Sequence, residues 1–162
     1  MSNPNPGKPP NGQVDVRGPR FAAWITTAVL ALVLVISVFS VPAAAILLAV
    51  QAVVFAAGAL SGPRRSPYGR IFAALVAPRI GPTSEVEPVA PLRFAQLVGF
   101  VFAALGVIGF AAGSPVAGSI FTGFALFAAF LNAAFGICLG CLIYPVAARL
   151  LPKSAATATQ NP

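Results

Sequence analysis

The chain has 162 residues, of which 58% are hydrophobic and 8% charged, and its mean hydropathy is +0.90. A soluble globular domain carries about 25% charged residues, so these values exclude a soluble fold and indicate that much of the surface faces lipid. Histidine is absent and there are three acidic residues, Asp15, Glu85 and Glu87, which argues against most acid–base, triad and metal chemistry. The net charge of +7 comes from basic residues between apolar segments, so we expect the lipid bilayer, and no nucleic acid, as their partner.

The first part of the chain predicts a tail and two membrane spans. Residues 1–13 are rich in proline, asparagine and glycine, a composition typical of a disordered tail. The uncharged run of residues 21–41 is long enough to cross the ~30 Å hydrocarbon core. A cleaved signal peptide is the alternative, but the run exceeds a signal sequence in length and a second apolar segment, 43–60, follows at once. We therefore predict two retained helices, with Pro42 in the first turn of the second.

The middle loop, residues 61–93, carries five arginines. From residue 67 to 77, helical spacing would place Ile71, Phe72, Leu75 and Val76 on one face, which fits a short helix lying in the headgroup plane. An ordinary basic loop is the alternative, and the residues leave both open.

Two further spans are predicted at residues 94–112 and 116–144, with Pro115 as the first helical residue after the break. Gly109 and Gly113, four residues apart in the third span, are candidates for a packing seam. The prediction is thus an all-α polytopic membrane domain, residues 14–151, built from four transmembrane helices as two helical hairpins. Residues 152–162 are predicted to be a disordered tail.

The distribution of charge predicts the orientation. The two links near residues 42 and 114 hold no charged residue, whereas all ten lysines and arginines precede the first span, lie in the middle loop or follow the last span. The positive-inside rule assigns such a side to the cytoplasm. We therefore predict a multi-pass plasma-membrane protein with both termini in the cytoplasm.

The sequence Cys138-Leu-Gly-Cys141 is the strongest candidate for chemistry. Positions i and i+3 share a helix face, so the two sulfurs could meet, and this spacing is the usual form of a dithiol–disulfide centre. The alternative is packing, because cysteine is a small apolar residue and Gly136 and Gly140 form a small-xxx-small pattern. Two sulfurs make only half of a zinc site, so we predict no metal.

Two polar residues, Gln51 and Asn132, fall inside predicted spans. They fit either a polar path or interhelical hydrogen bonds, and their different depths argue against a direct pair. No charged residue falls inside a span, which argues against a proton-coupled pump.

Four blocks of sequence together resemble a known family. They are residues 14–22 (Val-Asp-Val-Arg-Gly-Pro-Arg-Phe-Ala), 66–68 (Ser-Pro-Tyr), 92–96 (Leu-Arg-Phe-Ala-Gln) and 138–144 (Cys-Leu-Gly-Cys-Leu-Ile-Tyr). In this order they are similar to domain-of-unknown-function family 4395, small bacterial membrane proteins common in actinobacteria. The resemblance implies a four-helix membrane protein whose cysteine motif ends the last helix. The resemblance also implies that the gene lies near genes for thioredoxin-like and sulfur-transfer proteins, which is an association and not a mechanism, and it implies no established activity.

These observations lead to one functional expectation and two rivals. We expect a membrane protein that handles thiols or sulfur at the cytoplasmic face through Cys138 and Cys141, with a thioredoxin-like or sulfur-transfer partner. The rivals are a structural or assembly subunit of a membrane complex and a small-solute permease. The sequence predicts no cofactor, and it assigns no enzyme class or oligomeric state.

Overall fold

The structure, a computed structural model, describes residues 12–150. The predicted tail of residues 152–162 lies outside the described residues, and so does the predicted tail of residues 1–13 up to residue 11. Gln13 already belongs to a strand, so ordered structure begins slightly earlier than the composition of this segment predicts.

The described residues are mainly helical. In chain order the helices are α1 (Arg17–Phe39), α2 (Val41–Ser61), α3 (Pro67–Ile71), α4 (Ala77–Ile80), α5 (Val89–Ala111), α6 (Pro115–Phe135) and α7 (Leu139–Leu150), with a π-helical segment, Phe72–Val76, between α3 and α4. Two short strands, β1 (Gln13–Asp15) and β2 (Val86–Pro88), pair antiparallel. Four helices, α1, α2, α5 and α6, are long and apolar enough to cross a membrane. This confirms the all-α, four-span fold.

The two hairpins turn at short links. Ser40 alone separates α1 from α2, and its hydroxyl accepts a hydrogen bond from the Ala43 N–H at 3.4 Å, with Pro42 in the first turn. Gly113 adopts a φ of +76° between α5 and α6, a conformation that costs glycine little. Gly113 therefore serves the turn, and the prediction that it forms a packing seam with Gly109 is wrong for this residue.

The four long helices form a ring in which each one packs against two neighbours. The contacts join α1 to α2, α2 to α5, α5 to α6, and α6 back to α1. The core between them is apolar, and its buried members are Leu30, Val33, Ala44, Leu48, Ala52, Phe55, Ala103, Phe110 and Ala125. The opposite faces of the same helices expose large apolar side chains, as expected for helices whose outer solvent is lipid.

Glycines allow α5 and α6 to approach closely. A Cβ atom added to Gly109 would lie 2.6 Å from the backbone nitrogen of Gly118, and one added to Gly106 would lie 2.7 Å from the Leu48 side chain. Atoms cannot approach so closely without displacement, so these positions set the spacing between the helices. Gly123, in the same helix as Gly118, has no such neighbour within 4 Å.

The arginines lie at one end of the bundle, here called the basic end. An ion pair and hydrogen bonds from arginine side chains to backbone carbonyls stabilise this end. Arg17 forms an ion pair of 2.8 Å with Asp15 and donates to the Gly81 carbonyl at 2.8 Å. Arg93 donates to the carbonyls of Ala59 and Leu60 at 2.7 and 2.8 Å, and so satisfies backbone acceptors left open at the end of α2.

Two carboxyl groups at the basic end have opposite effects on stability. Burial disfavours ionisation of Asp15, but the hydrogen bonds and charge of Arg17 outweigh it and hold the pKa of this carboxyl below its ordinary value of 3.8. Burial raises the pKa of Glu87 above its ordinary 4.5, and the charge of Arg20 opposes this only in part. The ionised form is therefore favoured by folding at Asp15 and disfavoured at Glu87.

Substitutions at these two positions should change stability with opposite signs. At about pH 7, Asp15→Asn should lower the thermal stability and Glu87→Gln should raise it, because each removes a charge. The stabilisation by ionised Asp15 is lost as pH falls through its lowered pKa. Wild type and Asp15→Asn should therefore have similar melting temperatures in strong acid. The Glu87 penalty is absent below the ordinary pKa of 4.5, develops as pH rises from 4.5 to the raised pKa and is complete above it, so wild type and Glu87→Gln should converge below pH 4.5. Melting curves over a pH series in detergent test both, and a difference independent of pH would contradict them.

Of the two alternatives left open for the middle loop, the structure contains the helix, which extends over residues 67–80. The residues of the expected apolar face differ in how deeply they are buried. Phe72 is 7% exposed and packs near Gly18 of α1, whereas Ile71 and Leu75 are 41% and 54% exposed. Tyr68 points towards the bundle, where its hydroxyl donates to the side-chain oxygen of Gln51 at 2.7 Å.

This hydrogen bond explains how Gln51 is accommodated in a membrane helix. Gln51 is 1% exposed, and its amide nitrogen has no partner among the described residues. Tyr68→Phe would leave the amide oxygen unpaired as well, which should cost about 1–3 kcal/mol of stability. Tyr144→Phe is the matched control, since the Tyr144 hydroxyl makes no hydrogen bond within residues 12–150. Thermal unfolding in detergent measures both, and equal losses would contradict the assignment.

Candidate functional site

The cysteine motif lies at a break between two helices. The predicted span of residues 116–144 is wrong in its second part, because α6 ends at Phe135 and α7 begins only at Leu139. Gly136 ends α6 in the left-handed conformation with φ +69°, and its N–H donates to the Asn132 carbonyl at 3.1 Å. This is a glycine helix cap. Gly136 thus ends helix α6. A Cβ atom at this position would meet nothing within 4 Å, so the residue makes no close helix–helix contact.

Cys138 caps the N-terminus of α7. Its carbonyl accepts the first helical hydrogen bond, from Leu142 N–H at 3.0 Å, and its sulfur accepts from Cys141 N–H at 3.3 Å. The Cα atoms of Cys138 and Cys141 are 5.2 Å apart, and the two sulfurs are joined as a disulfide. In the reduced protein, the N–H groups and dipole of a helix N-terminus would favour the thiolate of a cysteine at this position.

Helix α7 is fixed to the bundle through α5. A Cβ atom on Gly140 would lie 2.6 Å from both the Cα and the Cβ of Ala95. One turn further along, the rings of Tyr144 and Phe94 pack with their centroids 5.8 Å apart. The predicted small-residue packing is therefore present at Gly140, between the two cysteines, and absent at Gly136. The packing and disulfide interpretations of the motif are compatible, because glycine makes the contact while the cysteines bond to each other.

A cavity of about 420 Å³ opens beside the disulfide. Its walls come from α1, α2, α5, α6 and the first turns of α7, and Cys138 and Gly140 are part of them. Most of the lining is apolar, including Phe102, Phe124 and Phe127. Phe124 and Phe127 are also 55% and 59% exposed on the outer surface of α6, so the cavity reaches the lipid-facing side of the bundle.

Four polar residues also line this cavity, namely Thr26, Ser66, Gln96 and Asn132. The Ser66 hydroxyl is hydrogen-bonded to the backbone of Pro63 and Gly69, whereas the other three take part in no side-chain hydrogen bond within residues 12–150, although Thr26 is only 5% exposed. Sequence analysis singled out Asn132 but left its role open, and the structure places it on the same cavity wall as Cys138. Thr26 and Gln96 were missed, because a threonine or glutamine in an apolar helix carries no signal of which neighbours it meets.

Comparison with known proteins identifies the family. The family described as "Domain of unknown function (DUF4395)" matches residues 14–149. The chain belongs to this family. The match runs from the first strand to the last turn of α7, so the DUF4395 region includes all four spans and the cysteine motif. No curated protein and no solved structure matches the chain.

Within the DUF4395 region that the structure describes, no group of three or more histidine, cysteine, aspartate or glutamate residues is arranged to hold a metal ion. The chemistry available at the motif is that of two sulfurs which can bond to each other. A dithiol and its disulfide differ by two electrons and two protons, and they interconvert with other thiols by exchange.

Proposed function

We propose that this DUF4395 protein is a membrane thiol–disulfide exchange protein, with Cys138 and Cys141 as its working pair. The observation that carries the proposal is the position of Cys138 at the N-terminus of α7, where its sulfur accepts the N–H of Cys141. We also propose that the basic end is cytoplasmic, following the positive-inside rule, so the partner is a cytoplasmic dithiol protein of thioredoxin-like type.

The two cysteines have different roles in this proposal. Cys138 is the attacking thiol, because the N-terminus of α7 favours its thiolate and the thiolate is the nucleophile in exchange. Cys141 lies one turn into the helix and resolves the intermediate. The Cys138 thiolate attacks a partner disulfide, forms the mixed disulfide and releases one partner thiolate. The Cys141 thiol, after losing its proton, then attacks Cys138, which closes the Cys138–Cys141 bond and releases the partner as a dithiol.

Trapping of the mixed disulfide tests the proposal. Cys141→Ser removes the resolving thiol, so this variant should accumulate a covalent adduct with an oxidised thioredoxin-type protein, seen on a non-reducing gel. Cys138→Ser should give about tenfold less adduct, because the remaining thiol of Cys141 is not at the capping position, where the Cys138 sulfur accepts a backbone N–H.

The double variant Cys138→Ser/Cys141→Ser is the control and should give none. Equal trapping by the two single variants would contradict the assigned roles. Absence of trapping by either one would overturn the exchange function and leave the structural or assembly role as the better account.

A further inference from the structure

The cavity beside Cys138 has features of a binding site. Its volume of about 420 Å³ falls within the roughly 300–1,000 Å³ typical of small-molecule sites, which are mostly apolar with a few polar groups. Thr26, which is 5% exposed as a whole residue, supplies a hydroxyl that has no hydrogen-bond partner among residues 12–150. A ligand in the cavity that accepts a hydrogen bond from this hydroxyl would satisfy it.

The position of the cavity restricts the ligand. Phe124 and Phe127 connect it to the lipid-facing surface, so an occupant can enter from the bilayer. The walls hold no charged side chain, which disfavours an ionic ligand. Four polar residues line the cavity, and the Ser66 hydroxyl already donates to the Pro63 carbonyl. The donors left for a ligand are the hydroxyl of Thr26 and the amides of Gln96 and Asn132, and these suit carbonyl oxygens on an otherwise apolar molecule.

The disulfide on the wall restricts it further. Cys138 contributes to the lining, so a ligand in the cavity would lie beside the first cysteine of the proposed exchange pair. We propose that the occupant is a lipid-soluble quinone that oxidises the Cys138–Cys141 dithiol. This inference rests on the proposed exchange function and names the source of its oxidising equivalents.

The reaction balances without another reagent. Two thiols lose two protons and two electrons as the bond between the sulfurs of Cys138 and Cys141 forms. The quinone takes up the two electrons and two protons, and its two carbonyl oxygens become the hydroxyl groups of a hydroquinone. The exchange steps then run in reverse: a partner dithiol reacts with the Cys138–Cys141 disulfide, is itself oxidised to a disulfide and restores the two thiols, so electrons pass from the partner to the quinone pool of the membrane.

The test uses the full-length protein in phosphatidylcholine nanodiscs, reduced and freed of reductant, with a benzoquinone carrying one isoprene unit as the probe. Each protein should reduce one quinone and lose both thiols, measured by quinone absorbance and by alkylation followed by mass spectrometry. Ala128→Phe fills the cavity and should slow oxidation by about tenfold or more, since about 1.4 kcal/mol of lost binding suffices. Ala134→Phe, on the same helix but outside the cavity lining, should leave the rate unchanged.

Two measurements separate binding from thiol chemistry. Quinone retained by nanodiscs of the double serine variant, less that retained by empty nanodiscs, measures binding without thiol chemistry. Ala128→Phe in that background should reduce the retained quinone. Thr26→Val, which removes the hydroxyl at nearly constant volume, should weaken quinone binding by about fivefold to tenfold, as expected for one lost hydrogen bond.

The outcomes distinguish this inference from the exchange function. If Cys141→Ser still traps the thioredoxin-type protein while the reduced wild type is not oxidised by quinone, the quinone site is overturned and exchange stands. If quinone oxidises Ala128→Phe and wild type equally fast, the cavity is not the site and the inference fails. If quinone oxidation depends on the cavity but no partner is trapped, the exchange function alone is overturned.

Discussion

Gly140→Val is expected to lift the N-terminal turn of α7 away from α5 and to make the reduced cysteines more reactive. A Cβ atom at this position would lie 2.6 Å from the Cα of Ala95, so a larger side chain meets backbone that cannot yield by a rotamer change. Overpacking of this kind costs about 1–3 kcal/mol. If ~1.4 kcal/mol of this cost lowers the free energy needed to open α7 from the bundle, the open form is about ten times more populated. Alkylation of the cysteines is then about tenfold faster.

The measurement is the maleimide labelling rate of the reduced protein in detergent, followed separately for Cys138 and Cys141. Gly123→Val is the matched control, because a β-carbon at Gly123 meets nothing within 4 Å, and it should label like the wild type. If Gly140→Val also labels at the wild-type rate, α7 does not depend on its contact with α5, and the proposed geometry of the site is wrong.

Gly109→Leu should have the largest effect on the fold itself. The position faces the backbone nitrogen of Gly118, and an added Cβ would lie 2.6 Å from it. Helices α5 and α6 would have to separate along their length to admit the side chain, which forfeits packing on both. The expected loss is about 3 kcal/mol or more, enough to shift most of the protein into unfolded or aggregated material during detergent extraction.

Gly123→Leu on α6 controls for the effect of leucine at a glycine position. It should keep the yield of monodisperse protein and the melting temperature close to those of the wild type. Gly109→Ala should fall between the two, since even a methyl group is too close to Gly118. A Gly109→Leu protein as stable as Gly123→Leu would show that the close approach of α5 and α6 is not required.

The membrane architecture follows from composition and periodicity, because a helix in lipid must satisfy its own backbone and present apolar side chains over a length set by the bilayer. The links at Pro42 and Pro115 were predicted for the same reason, since local chemistry limits where helices begin. The helix break at Gly136 also had a local signal, a glycine of the kind that ends helices. It was overlooked because the apolar run continues unbroken to Tyr144, and hydropathy does not distinguish one span from a span followed by a second helix.

Sequence alone thus determined the fold class, the four spans and the two cysteines as the residues most able to carry chemistry. Tertiary structure decided where these residues lie and what surrounds them. It places Cys138 at a helix N-terminus, sets Gly140 against Ala95, and brings Thr26 and Asn132 to the wall of one cavity. These residues are distant in sequence and chemically ordinary one at a time. Their role depends on which helices become neighbours, and in lipid that choice rests on close packing between helices, which no single segment of the sequence encodes.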